Sequence, residues 1–297
     1  MKFRMVEELA IEQQDVGHCC SGLKVSRSGY YEWMNRPQSA REIDNILLWE
    51  EIKLHWEKSR GTYGLPRIMD QLRKSKRTCG KNRVARIMKE NGIQGVGKKK
   101  YKVTTTDSNH SLPIADRIFK TEIALEQVTE PNQFWGGDIT YIATDEGWLY
   151  LAVVLDLFSR QVVGWSMQAH MQSSLVTDAL RMAWFRRAPE KGVVFHSDRG
   201  SQYCGHEFQS ALAGYKMKSS MSRKGDCWDN APTESFWGRL KVGRLYGRKF
   251  VTRRRAMDEV IDWMTFYNHR RIHSTLGYVS PMQFEKSWHA AQLLKTA

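Results

Sequence analysis

Nothing in the 297 residues is an uninterrupted apolar run of membrane-spanning length, and the amino terminus lacks the basic-then-apolar pattern of a secretory leader. These absences predict a soluble, non-secreted chain with no membrane partner. Cysteine is scarce: five residues, at 19, 20, 79, 204 and 227, form no CxxC pair and no even framework. That excludes a disulfide scaffold and predicts reduced thiols in the cytoplasm. His18-Cys19-Cys20 is too tightly spaced for tetrahedral ligation, and His196, Cys204 and His206 make no better set, so structural zinc is not expected. Internal repeats and low-complexity blocks are also missing, which leaves an ordinary globular chain of one large or two average domains.

Acidic residues are in the minority. Lys and Arg number 46 against 32 Asp and Glu, for a net charge of +14 and a pI near 9.6. The excess is clustered. Residues 73–100 hold eleven basic side chains and one acid, Glu90, while 239–255 hold eight basic side chains and no acid. Two such clusters predict a polyanionic partner, with nucleic acid first.

The chain divides by character. Residues 1–105 read as helices joined by short polar turns, 106–130 as a polar linker, 131–250 as strands alternating with helices, and 251–297 as a helical extension. In the first part Ser26 is placed to cap a short helix carrying Tyr30, Tyr31 and Trp33. A longer helix over about 40–58 has Leu48, Ile52 and Trp56 on one face. GLPRIMDQLRK (64–74) and KNRVARIMKENG (81–92) follow as two short helices. In the second, Val84, Ile87 and Met88 face inward, and Lys81, Arg83, Arg86 and Lys89 are expected to project outward. That pair, over about 64–92, fits helix-turn-helix logic, in which basic residues of the second helix reach DNA. An ordinary helical hairpin with a solvated basic face fits the same pattern.

In the second part, 134–143, 148–159 and 161–168 read as three strands joined by hairpin-length turns. A helix over 173–188, a strand over 192–198, a helix over 201–215, a short strand over 217–222 and a last helix follow. This order is that of a ribonuclease-H-like α/β fold, a five-stranded mixed sheet with helices.

Three acids stand out on this frame. Asp138 lies inside an otherwise uncharged strand, where an acid is unfavourable. Asp198 ends the fourth strand, in HSDRGSQY. Glu234 sits in the first turn of the last helix, in DNAPTESFWGRLK, where Asp229 or Asn230 is placed to cap and Pro232 suits the start. Singly they read as a solvent-facing acid, an Asx-turn former and a dipole-complementing glutamate. Together they converge where strand ends meet a covering helix. Three carboxylates suit two Mg²⁺ ions, with Mn²⁺ as a substitute, and such a pair drives in-line phosphoryl transfer. Asp138 is expected to bridge both ions, with Asp198 and Glu234 each completing one. Without metal, mutual repulsion should raise the carboxyl pKa values.

Fifty-nine residues separate Asp138 from Asp198, and 35 separate Asp198 from Glu234. This spacing resembles the D-D(35)-E pattern of the retroviral integrase and transposase superfamily. The words DITYI, HSDRGSQY, DNAPTESFWGRLK, YNHRRIHSTLGYVSPMQFE, SRSGYYEW and RGTYGLPRIM resemble the second reading-frame product of bacterial insertion sequences of the third family, over about residues 22–286. The resemblance implies a metal-dependent transposase that frees 3′ ends of an element and joins them to target DNA. It implies a catalytic core preceded by an all-α helix-turn-helix region, a dimer or higher assembly when two ends are paired, and a cytoplasmic, nucleoid-associated location. It extends to Lys241, seven residues and two helical turns from Glu234, which would hold a terminal phosphate. Trp228 is a stacking wedge for an unpaired base or a loop anchor. Ser197, Arg199 and Gln202 surround the second acid, where they would position DNA. The first 20 residues match the family poorly, and the upstream helix-turn-helix and leucine zipper of the frameshifted full-length transposase are not in the sequence, so a fusion to, or partnership with, the upstream product is expected. A retroviral zinc module is also missing. Two other readings stay open: a structure-selective nuclease on the same fold, and a domesticated DNA-binding regulator.

Overall fold

The structure is a computed structural model that describes residues 2–96, 112–118, 127–190, 192–222 and 231–296. Its amino-terminal part is helical throughout. Helices α1 (Lys2–Ile11), α2 (Val16–Gly22) and α3 (Arg27–Asn35) close on a small core of Val6, Cys20 and Tyr30. Asp15 caps α2 through His18 N, and Ser26 caps α3 through Gly29 N as expected. Ser39 and Glu42 form a reciprocal capping box that starts α4 (Ala40–Lys58). Helices α5 (Leu65–Lys74) and α6 (Lys81–Glu90) complete the predicted pair. They pack on α4 through Leu48, Ile52, Ile68, Leu72, Val84, Ile87 and Met88.

The second part is a five-stranded sheet. Strands β1 (Phe134–Thr144), β2 (Gly147–Asp156) and β3 (Val162–Gln168) form the antiparallel meander. After α7 (Ser173–Arg187) come β4 (Val194–Ser197), the short α8 (Ser201–Cys204), α9 (His206–Gly214) and β5 (Lys218–Met221). The spatial order is β3-β2-β1-β4-β5, with β4 parallel to β1 and β5 parallel to β4. The single helix expected over 201–215 is two, broken at Gly205, where an added Cβ would lie 2.8 Å from Ser173 Oγ.

Alternation along the strands sends side chains to two cores. One face, with Trp135, Ala152 and Val154, packs on α7 and α9. At Gly164 the backbone of β3 approaches α7 so closely that a Cβ would stand 2.2 Å from the Ala179 carbonyl. The opposite face, with Ile142, Leu151, Val153 and Leu155, is covered by α10 (Ala231–Leu240) and α11 (Arg253–His269), through Phe236, Leu240, Val260, Trp263 and Tyr267. Helix α12 (Pro281–Thr296) returns to the β2–β3 turn, where Phe284 and Trp288 contact Phe158 and Arg187 pairs with Glu285 at 2.5 Å.

The carboxyl-terminal segment ties the two parts together. Asn268 exchanges two 2.9 Å hydrogen bonds with the backbone of Val162 on edge strand β3. A few residues on, Tyr63 Oη accepts from Ile272 N at 2.9 Å, Arg67 Nε donates to the Ile272 carbonyl at 3.1 Å, and Lys74 Nζ donates to the Tyr278 carbonyl at 2.6 Å. Arg60 and Asp262 add a two-bond ion pair. Among the described residues no helix is long and apolar enough to cross a membrane.

Candidate active site

The register of the sheet sets two of the three acids side by side. Phe134, Trp135 and Gly136 of β1 pair with Val194, Phe195 and His196 of β4, an offset that carries Asp138 level with Asp198 just where β4 ends. Neighbouring strands lie about 4.8 Å apart, so the two carboxylates emerge together beyond the carboxyl end of β4. Asp138 shares a strand face with Thr140 and Ile142, the face covered by α10. The preceding Gly137 is required by packing: a Cβ there would stand 2.4 Å from the Phe195 ring and 3.3 Å from that of Tyr203.

Helix α10 supplies the third acid and a contact that the sequence did not announce. Trp237 Nε1 donates to Asp138 Oδ2 at 2.8 Å. Trp237 is three residues after Glu234, so the same helical face that touches Asp138 carries the glutamate. Thr233, Phe236, Trp237 and Leu240 are buried, whereas Glu234 is exposed. The spacing of Trp237 from Glu234 in ESFWGRLK was the available signal. Asp138 Oδ1 accepts from Ile139 N at 2.8 Å, and Asp198 Oδ1 accepts from Gly200 N at 2.9 Å, which is the Asx turn. Burial first, and the Asp198 carboxylate second, push the Asp138 pKa up to about 7 against the pull of the Trp237 indole and the Ile139 amide. Partial desolvation raises Glu234 as well. The Asp138 shift, with its contributions from Asp198 and Glu234, has the sign expected for carboxylates gathered without a cation. Three ligating groups close enough to share one ion do not occur among the described residues.

Lys241 is half-buried, its Nζ 5.9 Å from the Tyr141 ring centroid. Burial lowers its pKa, and Asp138 is the charge that opposes the shift, which sets the lysine near the acids. The route differs from the continuous helix expected. The α-helix ends at Leu240 and Lys241–Leu245 is a π-turn, closed by Tyr246 N on the Lys241 carbonyl. Arg199 Nε donates to the Ser222 carbonyl at 2.7 Å, anchoring its side chain to the end of β5. Ser197 is buried, with its hydroxyl on the Asp198 carbonyl, and Gln202 donates to the Met171 carbonyl, so both serve the loop. Trp228, with the cap positions Asp229 and Asn230, lies outside the described residues.

On α6, Lys81, Arg86 and Lys89 are exposed, and Arg86 pairs with Glu90 at 3.0 Å. Arg83 departs from the outward projection expected of it. Its guanidinium turns onto α4, to Asp44 at 2.8 Å and Asn45 Oδ1 at 2.8 Å, because α6 packs across that helix.

These features define an integrase-type catalytic core behind a helix-turn-helix region, and the comparisons agree. The Integrase core domain model matches residues 128–227 and a second Integrase core domain model matches 215–281, while an HTH-like domain matches 42–101. A 31 kDa protein of insertion element IS600 from Shigella sonnei is 41% identical over 91% of this chain and 98% of its own. Transposase InsF for insertion sequence IS3A, from Escherichia coli strain K12, is 37% identical over 96% of this chain and 98% of its own. That span is wider than the stretch 22–286 carrying the quoted motifs. A chain in the structure of a simian T-cell lymphotropic virus intasome in complex with PP2A regulatory subunit B56 gamma is 18% identical, covering 79% of this chain and 74% of its own, with a TM-score of 0.45. The chain belongs to the insertion-sequence transposase family that includes InsF.

Proposed function

We propose that Asp138, Asp198 and Glu234 are the catalytic carboxylates of a DNA transposase that cleaves element ends to free 3′-hydroxyls and joins them to target DNA. The observation that carries this reading is the parallel β1–β4 register, which brings Asp138 level with Asp198 just past the end of β4, with Trp237 tying the Glu234-bearing helix to Asp138. A like-charged pair, one member held near neutral pKa by burial and its neighbour, is a donor set that calls for a cation. All three donors are hard oxygens, which fits divalent magnesium, two ions by the reaction type, with manganese as a substitute. When bound, the metal supplies Lewis-acid stabilisation of the attacking and leaving oxygens.

The chain's own residues account for the rest. Ionised Asp138 and Asp198 would hold the cation, and the Trp237 indole fixes the Asp138 carboxylate in orientation. Glu234 closes the set from the helix side. Lys241, half-buried beside the acids, holds a backbone phosphate of the terminal nucleotides. Lys81, Arg86 and Lys89 bind DNA from the exposed face of α6, and Arg199 borders the second acid. Pairing two ends requires a dimer or larger assembly, with the upstream reading-frame product as fusion or partner.

Strand joining of labelled element ends to a plasmid tests the assignment. Asp138→Asn, Asp198→Asn and Glu234→Gln should each abolish both cleavage and joining, with folding unchanged by circular dichroism. Activity retained in any one of them removes that residue from the set. Cleavage without joining in the unmodified chain would favour a nuclease.

A further inference from the structure

Arginine is unevenly partnered in this chain. Arg60, Arg77, Arg187 and Arg244 each meet a carboxylate. Arg67, Arg160, Arg239 and Arg271 meet none among the described residues, although each is half-buried or more. They come from four separate segments: the first turn of α5, the β2–β3 turn, the last turn of α10 and the strap after α11.

Arg271 forms the floor. It is 3% exposed, its Nη1 donates to Thr62 Oγ1 at 3.1 Å, and its Nε is buried without an acceptor. Arg160 Nη1 and His273 Nε2 are likewise buried without partners. Arg67 spends one donor on the Ile272 carbonyl, and His273 is wedged edge-on against the Tyr267 ring at 4.9 Å. The one acid that acts on Arg160, Asp156, already accepts from the amides of Asn132 and Ser159 and the Ser159 hydroxyl. The charges meet at one place. His273 is lowered to about 3 by burial and then by all four arginines, and Arg271 to about 10 by burial, Arg67 and Arg239. Guanidinium does not discharge at physiological pH, so mutual repulsion in a half-dry site must be balanced by an anion.

We propose that Arg67, Arg160, Arg239, Arg271 and His273 form a phosphate-binding site at the junction of the helix-turn-helix region, the active-site helix and the carboxyl-terminal strap, and that its occupant is a backbone phosphate of bound DNA. Planar guanidinium forks with unspent N–H groups are the side chains that clasp a phosphate bidentately. Arg239 is five residues beyond Glu234, about 140° around α10, so this site opens on a different side of the helix from the carboxylates. A phosphate held there bridges α5 to α10 and seats the Glu234 helix only when DNA lies across the helix-turn-helix region. The site itself rests on the buried donors left without acceptors and on the four arginines that act together on His273; only DNA as the source of the phosphate rests on the function proposed above.

Titration calorimetry of the full chain with inorganic phosphate, at ionic strength fixed with chloride, is the test, with a short random-sequence duplex as a second probe. The unmodified chain should bind inorganic phosphate over chloride, and Arg239→Gln should weaken that binding about tenfold or more. In phosphate-free buffer Arg239→Gln should raise the melting temperature, since it removes a repelling charge; a merely structural arginine would lower it. If Arg239→Gln does not fold, Arg67→Gln should weaken phosphate binding likewise, read by calorimetry alone because it also loses the bond to the Ile272 carbonyl. The duplex arm should show the salt slope of Arg239→Gln reduced by about one. Phosphate binding no better than chloride, or unchanged in Arg239→Gln, overturns the site. Weakened phosphate binding with an unchanged duplex slope overturns the DNA source and leaves free phosphate as the ligand. Asp138→Asn should bind inorganic phosphate as the unmodified chain does, so a failure of the catalytic assignment leaves this result standing.

Discussion

At the scale of single residues, Asp138 carries a thermodynamic signature that can be measured without DNA. Its carboxyl is raised from 3.8 to about 7 in the folded chain. The folded state therefore binds a proton more tightly than the unfolded state, and the associated stability is full below pH 4 and lost as pH rises through 7. In chelator, the melting temperature should fall over that window, by an amount worth up to about 4 kcal/mol and less once solvent in the half-open site is counted. Asp138→Asn should flatten the profile and melt above the unmodified chain at pH 8. A profile unchanged by the substitution would show that Asp138 is not the group responsible. Trp237→Phe keeps the ring and deletes the indole N–H. It should weaken divalent-metal binding, read calorimetrically, by about tenfold, the scale of a lost second-layer contact. Equal affinity would mean that the Trp237–Asp138 bond does not orient the carboxylate.

At the scale of elements, Gly137 shows why the strand holding Asp138 tolerates no side chain beside it. Gly137→Ala should cost about 1–3 kcal/mol, because its Cβ meets a buried aromatic ring. Adding Phe195→Leu should recover part of the loss in denaturant titration, and no recovery would place the clash elsewhere. Most elements themselves were legible. Ser26 before α3, and Leu48, Ile52 and Trp56 on one face of α4, are local signals, and so are the hairpin-length turns that join β1 to β3. The break at Gly205 was not, since it answers to Ser173 on another helix. Nor was the π-turn at Lys241, because nothing in RLKVGRL departs from an α-helical pattern. Arg83 looked outward for a related reason: periodicity marks the faces of a helix but does not say which neighbour holds a carboxylate. The candidate site was legible as three acids and their spacing. Their mutual register and the role of Trp237 depend on pairing between strands far apart in the chain.

At the scale of the whole molecule, the helix-turn-helix region and the catalytic core meet through residues about two hundred positions apart, mostly by side chains clasping backbone. Such contacts leave no periodic trace in sequence, so the junction was invisible before the structure. Tyr63 is its pivot: the hydroxyl accepts from Ile272 N and donates to the Arg270 carbonyl at 3.3 Å. Tyr63→Phe preserves the ring and leaves the buried Ile272 N–H without an acceptor, at a cost of about 1–3 kcal/mol. Hydrogen exchange localises the effect. The Ile272 amide and those of α5 should exchange faster in Tyr63→Phe, while the central β2 amides of Leu151 to Leu155 keep their protection, since their partners on β1 and β3 are untouched. Equal acceleration in β2 would show that the two parts open as a single cooperative unit. Selective acceleration would establish the strap as a separable joint, which the proposed seating of α10 by a DNA phosphate requires.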